Sequence, residues 1–187
     1  MGLKLWLFDA DVIIKFFELG IFDRLVQQHR VHVASSVVDE VRYFTKKDSS
    51  GKTKVPVYLR TGYIDNGLVT ELSASPSELQ TVLERIPPSK RQAIQAGEIE
   101  SLAVLSREVD LTMCTFDHFA IRCLPFVDVC ERAVSAEKLC QESGFTLSPK
   151  HVAFDVRLTE AYFRDNLKAG NQEYVTSIVL LEKKRKR

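Results

Sequence analysis

Apolar residues along the chain occur in short runs that alternate with segments of helical spacing. The run from Lys4 to Phe8 is typical of a fully buried strand, and helical spacing of apolar residues begins at Val12. A short helix over Phe22–Gln28 and a second strand over Val31–Ala34 follow. Next, the sequence predicts a helix capped by Ser36, a mobile loop over Thr45–Lys54, and extended segments near Val55–Leu59 and Leu68–Leu72. A helix that starts at Ser75 and ends at Pro87 and a helix from about Glu98 come after them. The last predicted elements of this part are a strand over Leu111–Thr115, a turn and short helix over Phe116–Cys123, a strand over Phe126–Val129 and a helix capped by Ser135.

This alternation predicts one α/β unit with a mostly parallel sheet that is covered on both faces. After Pro149 the pattern changes, and two further helices are expected, over roughly Val152–Lys168 and Gln172–Lys183. Gly170 would end the first helix, and Asn171 would cap the second. We therefore divide the chain into a main domain, residues 1–145, and a C-terminal helical extension, residues 146–187.

Composition narrows the class of protein. The chain has 187 residues, of which 45% are hydrophobic and 27% charged, as in an ordinary globular domain. The only candidate membrane span is interrupted by Asp9, Asp11 and Lys15, so no membrane association is expected. The four cysteines form no CxxC pair, which favours reduced thiols in a cytoplasmic protein.

The net charge of +1 conceals a basic C-terminus. Residues Lys183–Arg187 are all basic, so the rest of the chain is net acidic. Such a tail can hold phosphate backbones loosely, or it can be the solvated end of a last helix.

Two carboxylates lie inside the apolar stretch "KLWLFDADVIIKFF". Burying an unpaired carboxylate costs several kcal/mol or forces its protonation, so folding alone does not account for Asp9. Asp11, two residues later, is expected to cap the helix that begins at Val12.

Further carboxylates follow other elements of the predicted sheet. Asp117 comes just after the "LTMCT" strand, Glu40 lies in the helix after the second strand, and Glu98 and Glu100 begin the helix that leads into "LTMCT". Because the carboxyl ends of parallel strands meet at one edge, we expect these groups to gather there beside Asp9. Their mutual repulsion would be offset by a hard divalent cation, Mg²⁺ or Mn²⁺, which can also activate water against a phosphodiester.

Four segments, "WLFDADVII", "SSVVDEV", "GEIESLAVL" and "CTFDHFAIR", resemble the four acidic motifs of PIN domains, in the family's order. The resemblance covers roughly Leu3 to Leu139. It implies a three-layer α/β/α fold and a metal-dependent ribonuclease with an RNA substrate. Many members of the family are toxins, so it also implies an antitoxin-type protein partner.

Carried over by position, the resemblance makes Asp9, Glu40, Glu100 and Asp117 the catalytic and metal-binding acids. Glu98 is the alternative for the third acid. The hydroxyl residue that often stands two positions before the last acid corresponds to Thr115, and the same motif offers His118 and Arg122 for substrate binding. Asp at position 11, where the family often has Ser, Thr or Asn, and the long segment between Thr45 and Ile94 depart from the family pattern.

Two other functions compete with this interpretation. "LFDADV" also resembles the opening motif of haloacid-dehalogenase-type phosphatases, in which Asp9 would be the nucleophile, but the later lysine and acidic pair of that superfamily have no clear counterpart. A catalytically silent PIN-like module that binds RNA or protein is the second alternative. His29 and His32 are spaced like metal ligands, but they flank a strand and are interpreted as structural or exposed.

Two surfaces are candidates for partners. Basic residues around the predicted loop can line an RNA path or form a solvated surface, namely Lys46, Lys47, Lys52, Lys54 and Arg60. In the extension, each predicted helix has an apolar stripe, which favours self-association as a homodimer. The stripes comprise Phe154, Leu158 and Tyr162 on one helix and Tyr174, Ile178 and Leu181 on the next.

Overall fold

A five-stranded, fully parallel sheet forms the centre of the protein. The structure, a computed structural model, describes residues 4–48, 51–148 and 155–185. The strand order is β5-β2-β1-β6-β7, and every neighbouring pair is parallel. The strands are β1 (Leu5–Phe8), β2 (Arg30–Ala34), β5 (Val69–Leu72), β6 (Thr112–Cys114) and β7 (Ala133–Val134). The predicted α/β class with a mostly parallel sheet is confirmed.

Helices cover both faces of this sheet. Successive apolar side chains of the central strand point to opposite faces, so each face needs a cover. Trp6 and Phe8 on β1 belong to one hydrophobic core, and Leu7 between them belongs to the other. The first core packs against α1 (Ala10–Glu18), α2 (Phe22–Gln28), α3 (Ser35–Glu40) and α8 (Ala136–Glu142). The second packs against α4 (Pro76–Arg85), α6 (Ala96–Arg107) and α7 (His118–Cys123), with the short α5 (Pro88–Arg91) between α4 and α6.

Residues predicted to form a mobile loop instead form an antiparallel hairpin of β3 (Tyr43–Asp48) and β4 (Gly51–Pro56). Phe44 pairs with Val55, and the Phe44 ring stacks on Phe17 of α1 at 5.7 Å between centroids. This apolar face anchors the hairpin, whereas the lysines around it give the sequence the composition of a loop.

The C-terminal segment contains one long helix, α9 (Glu160–Arg185), in place of the two predicted helices. Gly170 does not end it. A Cβ at Gly170 would lie 2.7 Å from the backbone oxygen of Arg122, so the glycine permits close packing of α9 on α7. A glycine inside a helix costs only about 1 kcal/mol, which packing readily offsets.

Two further predictions were wrong. Residues 126–129 are not a strand, because Leu124–Val127 form a buried 3₁₀ turn, and the strand lies later, at β7. A short buried apolar run does not distinguish these conformations. Ser36 does not cap α3, which begins at Ser35 with Ala34 in the capping position.

Other local predictions are confirmed. Helix α2 spans the predicted Phe22–Gln28, Ser75 caps α4 through a capping box with Glu78, and Ser135 caps α8. Four short helical turns complete the described chain, at Arg60–Ile64, Leu124–Val127, Cys130–Arg132 and Val156–Leu158.

The division at residue 145 stays a prediction. Leu158 and Phe163, which lie beyond it, are buried in the first and second cores respectively. Phe154 and the side chains of Leu181 and of the basic tail lie outside the described residues. All four cysteines are free thiols, and no helix in the described segments has the length and apolar character to cross a membrane.

Candidate active site

Two aspartates cap helices at the carboxyl ends of the neighbouring strands β1 and β6. Asp9 caps α1, where its Oδ1 accepts a hydrogen bond from the backbone N–H of Val12 at 2.9 Å. Asp117 caps α7, where its Oδ1 accepts from the N–H groups of Phe119 and Ala120 at 2.7 and 3.1 Å. Each carboxylate thus uses one oxygen to cap its own helix. The cap of α1 is Asp9 rather than the predicted Asp11.

These two aspartates share a cleft of about 60 Å³ with Glu40 from the end of α3 and Glu98 from the first turn of α6. The lining is completed by Ala10, Asp11, Val37, Gln95 and Gly97. No basic side chain is among these described lining residues. The acids therefore concentrate negative charge in the cleft, and no positive side chain among the described lining residues neutralises it.

Asp9 is the most deeply placed of the four acids. It is 5% exposed, and its second oxygen, Oδ2, is buried with no hydrogen-bond partner in the described part of the chain. Burial raises the pKa of Asp9 to about 7, and the nearby Asp11 and Asp117 raise it further, against the favourable effects of the Thr115 hydroxyl and the Val12 N–H. Near neutral pH the ionised form of this carboxylate is poorly stabilised.

Glu98 and Glu40 are perturbed in the same direction. Burial, together with the neighbouring Asp117 and Asp9, raises the pKa of Glu98 to about 8, although its Oε2 accepts a hydrogen bond from the Gln95 N–H at 2.8 Å. Burial, and then the charge of Asp11, raise the pKa of Glu40. Each group would be stabilised in its ionised form by a cation in the cleft.

Gly97 allows the Glu40 carboxylate to enter the cleft. A Cβ built at position 97 would lie 2.6 Å from Glu40 Oε1, closer than real Cβ contacts occur. The absence of a side chain therefore lets the end of α3 bring its carboxylate against the first turn of α6.

Glu100 does not line the cleft. Its Oε2 accepts hydrogen bonds from the backbone N–H and the hydroxyl of Ser36, at 2.7 and 2.5 Å, and its Oε1 accepts from the Ala74 N–H at 3.1 Å. This carboxylate joins α6 to the start of α3 and to the segment after β5. Of the two candidates for the third acid, the structure places Glu98 beside Asp9.

The three residues expected to bind substrate lie in different surroundings. Thr115 is buried, and its hydroxyl accepts a hydrogen bond from the Asp117 N–H at 3.1 Å. His118 Nδ1 lies 4.0 Å from Asp117 Oδ2, at the edge of the cleft. Arg122 points to α9, where its Nε donates to Asn166 Oδ1 at 3.1 Å, so the structure does not bring it to the acids.

Sequence reasoning missed Arg157. Its Nη1 lies 3.5 Å from Asp11 Oδ2, its Nε donates to Asp155 Oδ1 at 2.9 Å, and its guanidinium lies 4.9 Å from the centre of the Phe116 ring. Arg157 thus places a positive charge at the rim of the cleft. It follows the last acidic motif by some forty positions, and no local pattern marks it.

Gln95 and Gly97 were also missed, although a signal for them exists. Gln95 and Glu98 form a capping box, a pattern with a recognisable spacing of three residues. The glycine lies inside the same short segment.

The donor set of the cleft suits a hard divalent cation. In the segments that the structure describes, no three His, Cys, Asp or Glu side chains are already drawn together as a metal-coordinating group. The acids that line the cleft nevertheless offer carboxylate oxygens, as Mg²⁺ and Mn²⁺ prefer, and Asp9 Oδ2 is a buried acceptor without a partner among the described residues. The residues present therefore fit such an ion.

A comparison of the chain with models of protein families, with curated proteins and with solved structures returned no match.

Proposed function

We propose that this protein is a metal-dependent endoribonuclease of the PIN-domain type, which hydrolyses RNA phosphodiesters at the cleft of Asp9, Glu40, Glu98 and Asp117. The proposal rests on the four resembling motifs and on the site that their residues form. It assigns the third acidic position to Glu98 and a structural role to Glu100.

One observation carries the proposal. Asp9 Oδ2 is buried without a hydrogen-bond partner in the described residues, in a cleft lined by three further carboxylates in addition to Asp11. A fold gains nothing from such an arrangement by itself, because each carboxylate raises the cost of ionising its neighbours. Binding of a divalent cation would offset this cost.

When bound, a divalent ion would neutralise the carboxylates and stabilise the negative charge that develops on the phosphate. The chain's own residues keep the acids in place for this. The N–H groups of α1 and α7 fix Asp9 and Asp117 through one oxygen each, and the Thr115 hydroxyl accepts a hydrogen bond from the Asp117 N–H. Asp9 and Glu98 would hold such an ion as oxygen ligands, and its charge would lower the pKa values of both groups.

The phosphatase alternative lacks a component in this cleft. Its mechanism needs a lysine close to the nucleophilic aspartate, and the described lining of the cleft contains none. An inactive RNA- or protein-binding module shares the geometry with the nuclease, so only an activity measurement separates them.

The test is cleavage of an end-labelled single-stranded RNA in the presence of Mn²⁺, Mg²⁺ or EDTA. We expect cleavage with Mn²⁺ or Mg²⁺ only, and a loss of at least about 100-fold in Asp9→Asn, Glu40→Gln, Glu98→Gln and Asp117→Asn. Asp110→Asn, which removes an exposed carboxylate elsewhere, should retain activity.

Two outcomes would contradict the proposal. Hydrolysis of p-nitrophenyl phosphate without RNA cleavage would favour the phosphatase. RNA binding without turnover under any metal condition would favour the silent module.

A homodimer and an antitoxin-type partner stay predictions within this proposal. The second half of α9 exposes a group of large apolar side chains, which consists of Tyr174, Val175, Ile178, Val179 and Leu180. Sedimentation of the full chain and of a chain ended after Gly144 tests the dimer. A dimer that becomes a soluble monomer would support it, whereas a full-length monomer whose shortened form precipitates would show that the extension covers the core.

A further inference from the structure

We propose that the β3–β4 hairpin, together with Tyr58, binds single-stranded RNA and leads it to the acidic cleft. This inference rests on the proposed function and names the surface that holds its substrate.

The two faces of the hairpin differ in their contacts. Residues that are directly paired across the hairpin share a face, and successive residues of one strand alternate between faces. The two pairs on either side of the Phe44–Val55 pair therefore lie on the face opposite Phe44, namely Tyr43 with Pro56 and Thr45 with Lys54. The Phe44 side packs on α1, as described above, so the other face points outward. Lys52 belongs to this outward face by the same register.

The outward face combines an aromatic ring with positive charge. Tyr43 is 45% exposed, and Lys54 Nζ lies 4.0 Å from the centre of its ring. Tyr58, just beyond β4, is 68% exposed. A large aromatic side chain in water gains nothing from that exposure, whereas bases of a single strand stack on such rings and lysines hold the phosphates between them.

The charge of the hairpin complements RNA. Its described side chains, residues 43–46 and 51–56, include Lys46, Lys52 and Lys54 and no carboxylate. The side chain of Lys47 lies outside the described residues, and Arg60 is already paired with Glu71 at 2.8 Å. The hairpin therefore offers attraction for a polyanion that the acidic cleft alone would repel.

The hairpin is also close to the cleft along the chain. Tyr43 follows the cleft residue Glu40 by three positions, so at most about 11 Å of backbone separates them. A strand held on the hairpin can continue directly into the cleft.

The test is fluorescence anisotropy of a labelled single-stranded RNA in EDTA, over about 50–200 mM salt, so that binding is measured without cleavage. We expect the Lys52→Gln/Lys54→Gln variant to bind about tenfold more weakly, with a slope of log affinity against log salt that is smaller by about 1.4. Tyr43→Leu and Tyr58→Leu should each weaken binding at least about fivefold with the slope unchanged.

The matched control is Arg30→Gln/Lys168→Gln, which removes two exposed cations, one at the amino end of β2, opposite the edge of the sheet that holds the cleft, and one on α9. Thermal unfolding of each variant establishes that it is folded. Wild-type affinity in the hairpin variants, or an equal change of slope in the control, would overturn the inference. Duplex RNA that binds as tightly as the single strand and ignores both tyrosine substitutions would do the same.

Failure of the inference and failure of the proposed function give different results. RNA that binds the hairpin but is never cleaved contradicts only the nuclease. Metal-dependent cleavage that the lysine and tyrosine substitutions leave unchanged contradicts only the hairpin surface.

Discussion

Replacing Asp9 by Asn should stabilise the metal-free protein at alkaline pH. Asp9 is 5% exposed, and burial raises its pKa from 3.8 to about 7. The folded state therefore binds a proton more tightly than the unfolded chain does. Since the folded-state pKa is the higher one, the contribution of Asp9 to the free energy of unfolding is fully present below pH 3.8 and is lost as the pH rises through 7. Asn cannot ionise, and it caps a helix as well as Asp does.

The magnitude follows from 1.36 kcal/mol for each pKa unit. The rise in the pKa of Asp9 corresponds to about 4 kcal/mol of lost stability at high pH. Between pH 5 and pH 8 the loss is about 3 kcal/mol, because part of the titration lies below pH 5. Asn loses a favourable charge at the helix start, which costs up to about 1 kcal/mol and leaves a net gain of a few kcal/mol at pH 8.

Urea unfolding in EDTA at several pH values measures this directly. The comparison of wild type with Asp9→Asn cancels the titration of His29 and His32, because burial lowers their pKa values in both proteins. Removing the Asp9 charge also lowers the pKa of Glu98, which adds to the gain in stability of Asp9→Asn. Asp110→Asn serves as the surface control. At pH 8, Mn²⁺ at a concentration 100 times its dissociation constant should raise the free energy of unfolding of the wild type by about 2.7 kcal/mol. The same concentration should raise that of Asp9→Asn much less.

The reasoning would be refuted by an Asp9→Asn protein that is less stable than wild type at pH 8. It would also be refuted by a stability difference between the two proteins that does not change between pH 5 and pH 8.

Three substitutions test other parts of the structure. Gly97→Ala places a Cβ 2.6 Å from Glu40 Oε1, so cleavage should fall at least about tenfold while the free energy of unfolding drops by less than about 1 kcal/mol, as measured by RNA cleavage and urea unfolding. Gly170→Ala brings a Cβ within 2.8 Å of the Arg122 Cα, and crowding of two backbones should lower the melting temperature by about 4 °C. Glu100→Gln weakens three charge-assisted hydrogen bonds and should cost about 1–2 kcal/mol in urea unfolding, with the folded fraction still active.

Controls for these substitutions exist in the chain. A Cβ at Gly62 would meet nothing within 4 Å, so Gly62→Ala is the control for both glycines. Asp39→Asn removes an exposed carboxylate and is the control for Glu100→Gln. If a control variant loses as much as its counterpart, the contact in question does not have the role assigned to it.

The sequence predicted the parts of the fold that depend on local chemistry. The capping box of Ser75 and Glu78 was recognisable because both partners lie within one helical turn. The buried strand before Asp9 was recognisable because its apolar run is short and ends in a charge. The same information placed Asp9 and Asp117 after strands whose carboxyl ends meet at one edge of the sheet, whereas the pairing of these two strands is known only from the structure.

The caps at Ser36 and Asp11 and the strand over residues 126–129 were local errors, whereas other errors arose from long-range contacts. Gly170 was interpreted as a helix end because nothing in its neighbourhood reveals the Arg122 backbone that it packs against. The hairpin was missed because its anchor, the stacking of Phe44 on Phe17, joins distant residues. Spacing left both Glu98 and Glu100 open as the third acid, because the hydrogen bonds from Ser36 to Glu100 join residues that are distant in the sequence.

The double use of Asp9 and Asp117, as helix caps and as acids of the cleft, limits how the proposed activity could be lost during evolution. Alanine at either position would remove the acid and also leave helix N–H groups unsatisfied, at a cost of about 1 kcal/mol. Asparagine or serine would remove the acid and keep the helix start. Descendants that retain the fold but lose the proposed activity should therefore carry amide or hydroxyl side chains at these two positions, so the residues at positions 9 and 117 would show which descendants have lost it.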